Sequence, residues 1–295
     1  MKKIIAAAIA AAFVAPAFAE VTVSGDVEYF FVNGNSGKTY SDSGDQDVTV
    51  AGSEELGNGM TVTASLEIDG SDSDIASDSS LTISGDFGSF RYTAAGDDHA
   101  LSAIDIDGGA TAEEAFSRTA AQGASTLHEV GGIGNETVTY VLPSIVDGLY
   151  VAGSLANGTG ANGEAAAYGI KYDAGMFAVT YGQLKGQVVT TTHVGVSASM
   201  GDFGLALAKN SDDTANEDRS ATLMGLTYAM GDITLGYESE QMENGTATSD
   251  EKHTAFGASY AIAPGLSASL TMAESDKMQG QTDVATTSIG IHVSF

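Results

Sequence analysis

Six carboxylates fall within eighteen residues at Asp97, Asp98, Asp105, Asp107, Glu113 and Glu114, and Arg118 follows. Carboxylates at that density either ligate a hard cation or set a field for ions moving past them. Asp105, Asp107, Gly108 and Glu114 match positions 3, 5, 6 and 12 of a calcium-binding loop. Position 1 falls on Ala103, which offers no side-chain oxygen. The plain acidic loop is therefore the preferred reading. Calcium at Asp105, Asp107 and Glu114 is the accessory one, and no cofactor is required. Asp69, Asp72 and Asp74 form a second acidic group open to divalent ions.

Nucleophilic chemistry has less to stand on. The five His are His99, His128, His193, His253 and His292, and no Cys is present. Ser and Asp are so frequent that a Ser/His/Asp set can always be drawn. No nucleophile elbow, zinc-protease helix or phosphate loop occurs, so an enzyme is not expected. The 295-residue chain carries 39 Asp+Glu against 11 Lys+Arg, a net charge of −28. Such a chain would repel a phosphate backbone, which excludes nucleic acid as a partner.

These groups need elements to position them. Lys2 and Lys3 precede an apolar run from Ile4 to Ala15, and Ala17-Phe18-Ala19 supplies a small-x-small cleavage site before Glu20. Residues 1–19 read as a secretory signal peptide. Its removal takes the net charge from −28 to −30 by loss of the two Lys. The domain that remains is 20–295. It holds no apolar run near the ~20 residues of a transmembrane helix.

It does hold period two. Thr61 to Asp69 puts five polar residues on one face and four apolar residues on the other. This is a strand with one greasy and one wet face. Sixteen such segments run from Val21–Phe31 to Ile289–Phe295. Seven short turns, such as Gly201-Asp202, alternate with eight mostly longer polar stretches, the longest at 96–135. A soluble acidic β-protein of the periplasm predicts neither this alternation nor wet inner faces. An all-β, sixteen-stranded antiparallel transmembrane barrel predicts both. Its wet face carries Asp26, Glu28 and Glu67 as lumen acids, together with Arg91 and Lys171. The apolar face is expected to carry no basic residue. Tyr and Phe near strand ends, among them Tyr237 and Phe256, stand in for the absent Trp at the interfaces.

The chain resembles the general diffusion porins of Gram-negative outer membranes, most closely the α-proteobacterial type. The resemblance rests on Asn135-Glu136-Thr137-Val138-Thr139-Tyr140-Val141-Leu142-Pro143 with Gly148-Leu149, on the long stretch between strands five and six, and on the final strand ending in Phe295. It implies a bacterial outer-membrane homotrimer among lipids, with Phe295 read as a signal by the assembly machinery. It also implies a third loop, 96–135, folded into the lumen, and passive diffusion of small hydrophilic solutes and cations.

The expected constriction is Asp97, Asp98, Asp105, Asp107, Glu113, Glu114 and Arg118 on the loop, with a short helix near 112–121. Arg91 and Lys171 are expected on the opposite wall. A lumen so biased concentrates cations. A substrate-specific channel is the alternative. Its aromatic lining would have to come from Phe30, Tyr150 and Phe116, which are few.

Overall fold

The computed structural model describes residues 20–34, 39–70, 78–94, 99–106, 136–157, 164–214, 218–244, 250–277 and 284–295. The expected signal peptide lies outside them. The strands are β1 (Glu20–Gly34), β2 (Thr39–Glu55), β3 (Thr61–Asp69), β4 (Asp78–Gly85), β5 (Gly88–Thr93), β6 (Thr137–Val141), β7 (Leu149–Asn157) and β8 (Glu164–Asp173). They continue as β9 (Phe177–Lys185), β10 (Val189–Met200), β11 (Phe203–Thr214), β12 (Asp218–Met230), β13 (Ile233–Asn244), β14 (Glu251–Ala263), β15 (Leu266–Lys277) and β16 (Val284–Ser294). Each pairs antiparallel with its neighbours in sequence, and β16 closes on β1. Full closure leaves no sheet edge, as a strand structure in lipid requires. Among the described residues no helix is long and apolar enough to cross a membrane.

Each of the seven short turns carries one glycine at positive φ: Gly59, Gly88, Gly148, Gly175, Gly201, Gly231 and Gly265. At Gly201-Asp202 and Gly231-Asp232 the whole link is two residues, and φ is +62° at both glycines. A side chain there would be strained, so glycine sets the hairpin.

The two faces of the sheet divide as the period predicts. Outward-facing residues include Val23, Phe31, Leu66, Ile170, Val179, Leu205, Leu226, Leu270 and Ile291, all exposed. Inward-facing residues are mostly small or polar, such as Ala167, Thr180, Ala206, Ser269, Thr271 and Ser288. This inversion, apolar out and polar in, fits a lipid solvent outside and water inside. Aromatic pairs gather at the turn end of the outer face. Phe90 stacks on Tyr140 and Phe203 on Tyr228, each at 4.5 Å. Tyr237 and Phe256 differ from expectation: they pair in mid-strand.

Two further expectations need correction. Much of 33–46, 209–220, 240–253 and 274–284, read as loop, is strand. At their loop ends the strands rise beyond the apolar band, so both faces turn polar and the alternation signal vanishes. For the same reason Lys209 was missed on the outer face. The apolar outer set of β11 is Phe203, Leu205 and Leu207, and Lys209 continues it with Ser211 beyond. Lys185 and Lys252 face outward near the loop ends of β9 and β14. A lysine at the upper margin of the band can extend its ammonium into the headgroups. Mid-band positions have no such exit. Leu270→Arg is expected to lower barrel stability in bilayers by about 2–4 kcal/mol, and Lys209→Leu to leave it unchanged. Urea unfolding midpoints measured side by side check the pair, and equal effects would contradict the assigned band.

Candidate functional site

β5 and β6 have six and five residues, whereas a strand spanning the membrane needs about 9–11. The chain therefore leaves the wall part-way up. The next described stretch, 99–106, lies inside the barrel against the inner faces of β7 to β12.

The seat is built by omission of side chains. Gly169, Gly182 and Gly195 lie on the inner faces of three consecutive strands. A Cβ at Gly169 would collide with the Ala100 carbonyl oxygen, and one at Gly182 with Leu101 Cδ1. At Gly195 it would come within 2.8 Å of Ile106 Cδ1. Ala152, Ala156, Ala165 and Ala167 complete a shallow apolar bed for Leu101 and Ile104. Ile106 packs on Ala206, Ala208 and Leu223. The wall is thinned where the loop root presses on it.

Hydrogen bonds hold the root in place. The Ala100 amide donates to Ser154 Oγ at 2.7 Å, and Ser154 meets Thr139 Oγ1 at 2.8 Å. The root itself is a compact turn ending in a 3₁₀ segment, Ser102–Ile104. His99 is 1% exposed, and its Nδ1 accepts from the amides of Leu101 and Ser102. Asp105 lies 3.0 Å from His193 Nδ1 on β10.

The inner wall elsewhere is acidic. Asp26, Asp47 and Asp69 are direct register partners across β1, β2 and β3. Glu28 and Glu67 share their face. Glu28 Oε1 is 2.9 Å from His292 Nδ1. On β13, Glu238 and Glu240 are buried on the inner face, with His253 opposite Glu240. Inward cations are fewer. Arg91 lies on β5 and Lys171 on β8, and Arg219 is 3.3 Å from Asp212.

The sites expected from sequence thus divide. Asp26, Glu28, Glu67, Arg91 and Lys171 all take inner-face positions. Asp105 is described, whereas Asp97, Asp98, Asp107, Glu113, Glu114, Arg118 and the short helix lie outside the described residues. The facing arrangement changes for Asp105. It leans on the wall that carries Lys171, because Gly169, one inward step from Lys171, is where the loop root docks. In a ring of sixteen, β2 and β10 are eight strands apart. The carboxylate row of β1–β3 therefore faces the loop root across the lumen. Of the three calcium candidates, Asp105 is engaged by His193. Asp107 and Glu114 are outside the description.

A family model of the Gram-negative porin matches residues 6–279. The chain belongs to the Gram-negative porin family. It is an outer-membrane porin by that membership. A search of the curated proteins finds no match. Among solved structures, this porin is similar to an anion-selective porin from Comamonas acidovorans, with TM-score 0.73 and 18% identity over 94% of this chain and 100% of that one. A loop-deletion mutant of OmpT, an outer-membrane protein of Vibrio cholerae, gives TM-score 0.72 and 16% identity over 94% and 99%. A mutant porin of Rh. blastica gives 0.67 and 14% over 94% and 100%. These likenesses establish the fold.

Several working residues escaped the sequence reading. Gly169, Gly182, Gly195, Asp47 and Glu240 each fit a wet inner face and so carry no signal there, while His193 stands out only as one of five His and Asp69 only as part of an acidic group. A signal did exist for the glycines. Tyr168-Gly169-Ile170, Tyr181-Gly182-Gln183 and Val194-Gly195-Val196 put three consecutive strands' inner positions at glycine. Glycine inside a strand marks a close approach by another backbone or ligand.

Proposed function

We propose that this porin is a water-filled, cation-preferring pore for passive diffusion of small hydrophilic solutes and ions, working as a homotrimer. One observation carries the cation preference: Asp26, Asp47 and Asp69 stand in register on the lumen face, with Glu28 and Glu67 beside them. Like charges directly opposite cost stability. Their presence in one row argues for a use, and a cation stream is the use a lumen offers. The Comamonas neighbour is an anion-selective porin. Selectivity follows lining charges, which 18% identity leaves free to differ. The trimer reading draws on the OmpT neighbour described as a trimer form. Among the side chains described, the inner-face aromatics are Phe30 and Tyr150, which supports general diffusion over a substrate-specific slide. Phe295 exchanges backbone hydrogen bonds with Gly25 at 3.0 and 3.1 Å, closing the last strand on the first. That position suits a residue read during assembly.

Proteoliposome swelling tests the diffusion reading. Monosaccharides are expected to enter quickly and trisaccharides slowly. Uptake of one sugar alone, or of none, would contradict it.

Catalysis is not part of the proposal. Ser269, His292 and Glu28 do form a hydrogen-bonded chain, with 2.9 Å at each link, beside a cavity of about 400 Å³. Ser269 sits inside the β14–β15–β16 ladder, however, where its neighbouring amides are committed to strand partners. Acyl transfer needs donors free for an oxyanion. Wild type and Ser269→Ala are expected to conduct equally and to hydrolyse no p-nitrophenyl ester. Turnover lost in Ser269→Ala would overturn this. Calcium is likewise not required, because His193 already engages Asp105. Calorimetric titration with Ca²⁺ is expected to give no heat, and a saturable heat lost in Asp105→Asn would reverse that.

A further inference from the structure

His193 is 0% exposed, hydrogen-bonded to the strands on either side and in contact with the loop root. Its Nδ1 lies 2.7 Å from Asn210 Oδ1 on β11 and 3.0 Å from Asp105 Oδ1 on the loop root. Amide and carboxylate oxygens only accept, so Nδ1 carries the proton; it donates to Asn210 Oδ1, and the Asp105 carboxylate lies in contact beside it. Nε2 is 2.8 Å from Thr180 Oγ1 on β9. In the neutral ring the Thr180 hydroxyl donates to it. One imidazole therefore joins two neighbouring strands and the loop. Asp105 Oδ1 also accepts from the Ile106 amide at 3.0 Å, which fixes the carboxylate relative to its own backbone.

The site depends on the glycine beside it. A Cβ at Gly195 would lie 2.6 Å from Thr180 Oγ1, 2.8 Å from Ile106 Cδ1 and 3.0 Å from His193 Nε2. A side chain there would press on the imidazole, its partner hydroxyl and the loop together. Asp105 is 13% exposed at its side chain, so it is largely withdrawn from the ion stream. A carboxylate in that setting is held by its donors, and removing one partner strands the other.

We propose that His193 is a positioning residue for the pore: it holds Asp105, and through it the root of the third loop, so that Asp105 acts as a tether and not as a selectivity charge. The proposal rests on the pore reading above. It separates Asp105 from Asp26, Asp47 and Asp69, which carry no loop. Loss of the tether frees the root to leave its seat, and the pore is then expected to close spontaneously more often.

Single-channel recording in planar bilayers separates the two roles. His193→Ala and Asp105→Asn are each expected to raise the closing rate about ten-fold or more, the scale of breaking one buried contact to a charge. Both should keep the wild-type ratio of K⁺ to Cl⁻ permeability. The double variant should close no faster than the worse single variant, because both changes remove one link. His193→Gln, whose amide can still donate to Asp105, should recover much of the wild-type dwell time and carries the test if His193→Ala does not fold. A shift in permeability ratio in Asp105→Asn, or wild-type closing in the His193 variants, overturns the tether. A wild-type protein that forms no pore at all would instead defeat the reading on which it rests.

Discussion

Replacing Asp26, Asp47 and Asp69 together with Asn lowers the K⁺ over Cl⁻ permeability ratio several-fold. The estimate is electrostatic. A unit charge about 8 Å from an ion, in a medium of dielectric near 80, interacts by roughly 0.5 kcal/mol, or about two-fold in local concentration. At physiological salt the Debye length is also about 8 Å, so each effect is reduced but not abolished. Three charges in one row multiply to a several-fold change. The same triple variant should unfold at equal or higher urea than wild type, because three carboxylates are register neighbours on adjacent strands and like charges opposite one another are destabilising. Lower selectivity with undiminished stability is the signature of residues kept for permeation. A variant that loses stability and keeps its selectivity would show that the row is structural.

Gly169→Val narrows the pore. The new Cβ collides with the Ala100 carbonyl oxygen, which is backbone and cannot rotate aside. Overpacking of this kind costs about 1–3 kcal/mol. The cheapest relief is to lift the loop root off the wall, since the β8–β9 ladder holds Gly169 opposite Gly182. Single-channel conductance is then expected to fall and open-channel noise to increase, while the barrel stays folded in detergent. Gly153→Val, on the outward face of β7, is the control for adding the side chain away from the loop. It lies on a neighbouring strand, and its Cβ would meet nothing closer than 3.9 Å. Wild-type conductance in Gly169→Val would mean that the seat does not shape the pore.

The barrel was legible because lipid outside and water inside impose a period of two, seen most clearly in Thr61–Asp69. The hairpin ends were legible for a different reason. Each short turn needs a backbone conformation that glycine supplies, as at Gly201 and Gly231. Legibility fell at the loop ends, where water wets both faces. There Lys209, Asp212 and Glu240 continue strands whose own alternation has given way to polar residues. The site was half legible. Asp26, Glu28, Glu67, Arg91 and Lys171 stand at the inner-face positions that parity assigns, because parity is a local property. The carboxylate row was not legible, because Asp26, Asp47 and Asp69 meet only through the registers of two hairpins, one of them shifted by a bulge between Val27 and Tyr29. Nor was the tether, because Asp105 and His193 are 88 residues apart and meet only when the loop turns inward.

The reversal potential of the wild-type pore under a KCl gradient tests the central claim most directly. Purified protein is inserted into a planar bilayer, and the zero-current voltage is read with salt concentrated on one side. The carboxylate-lined lumen predicts a potential of the sign set by K⁺ moving down its gradient, shrinking in the Asp26, Asp47 and Asp69 triple variant. A potential of the opposite sign, with Cl⁻ the more permeant ion, would contradict it.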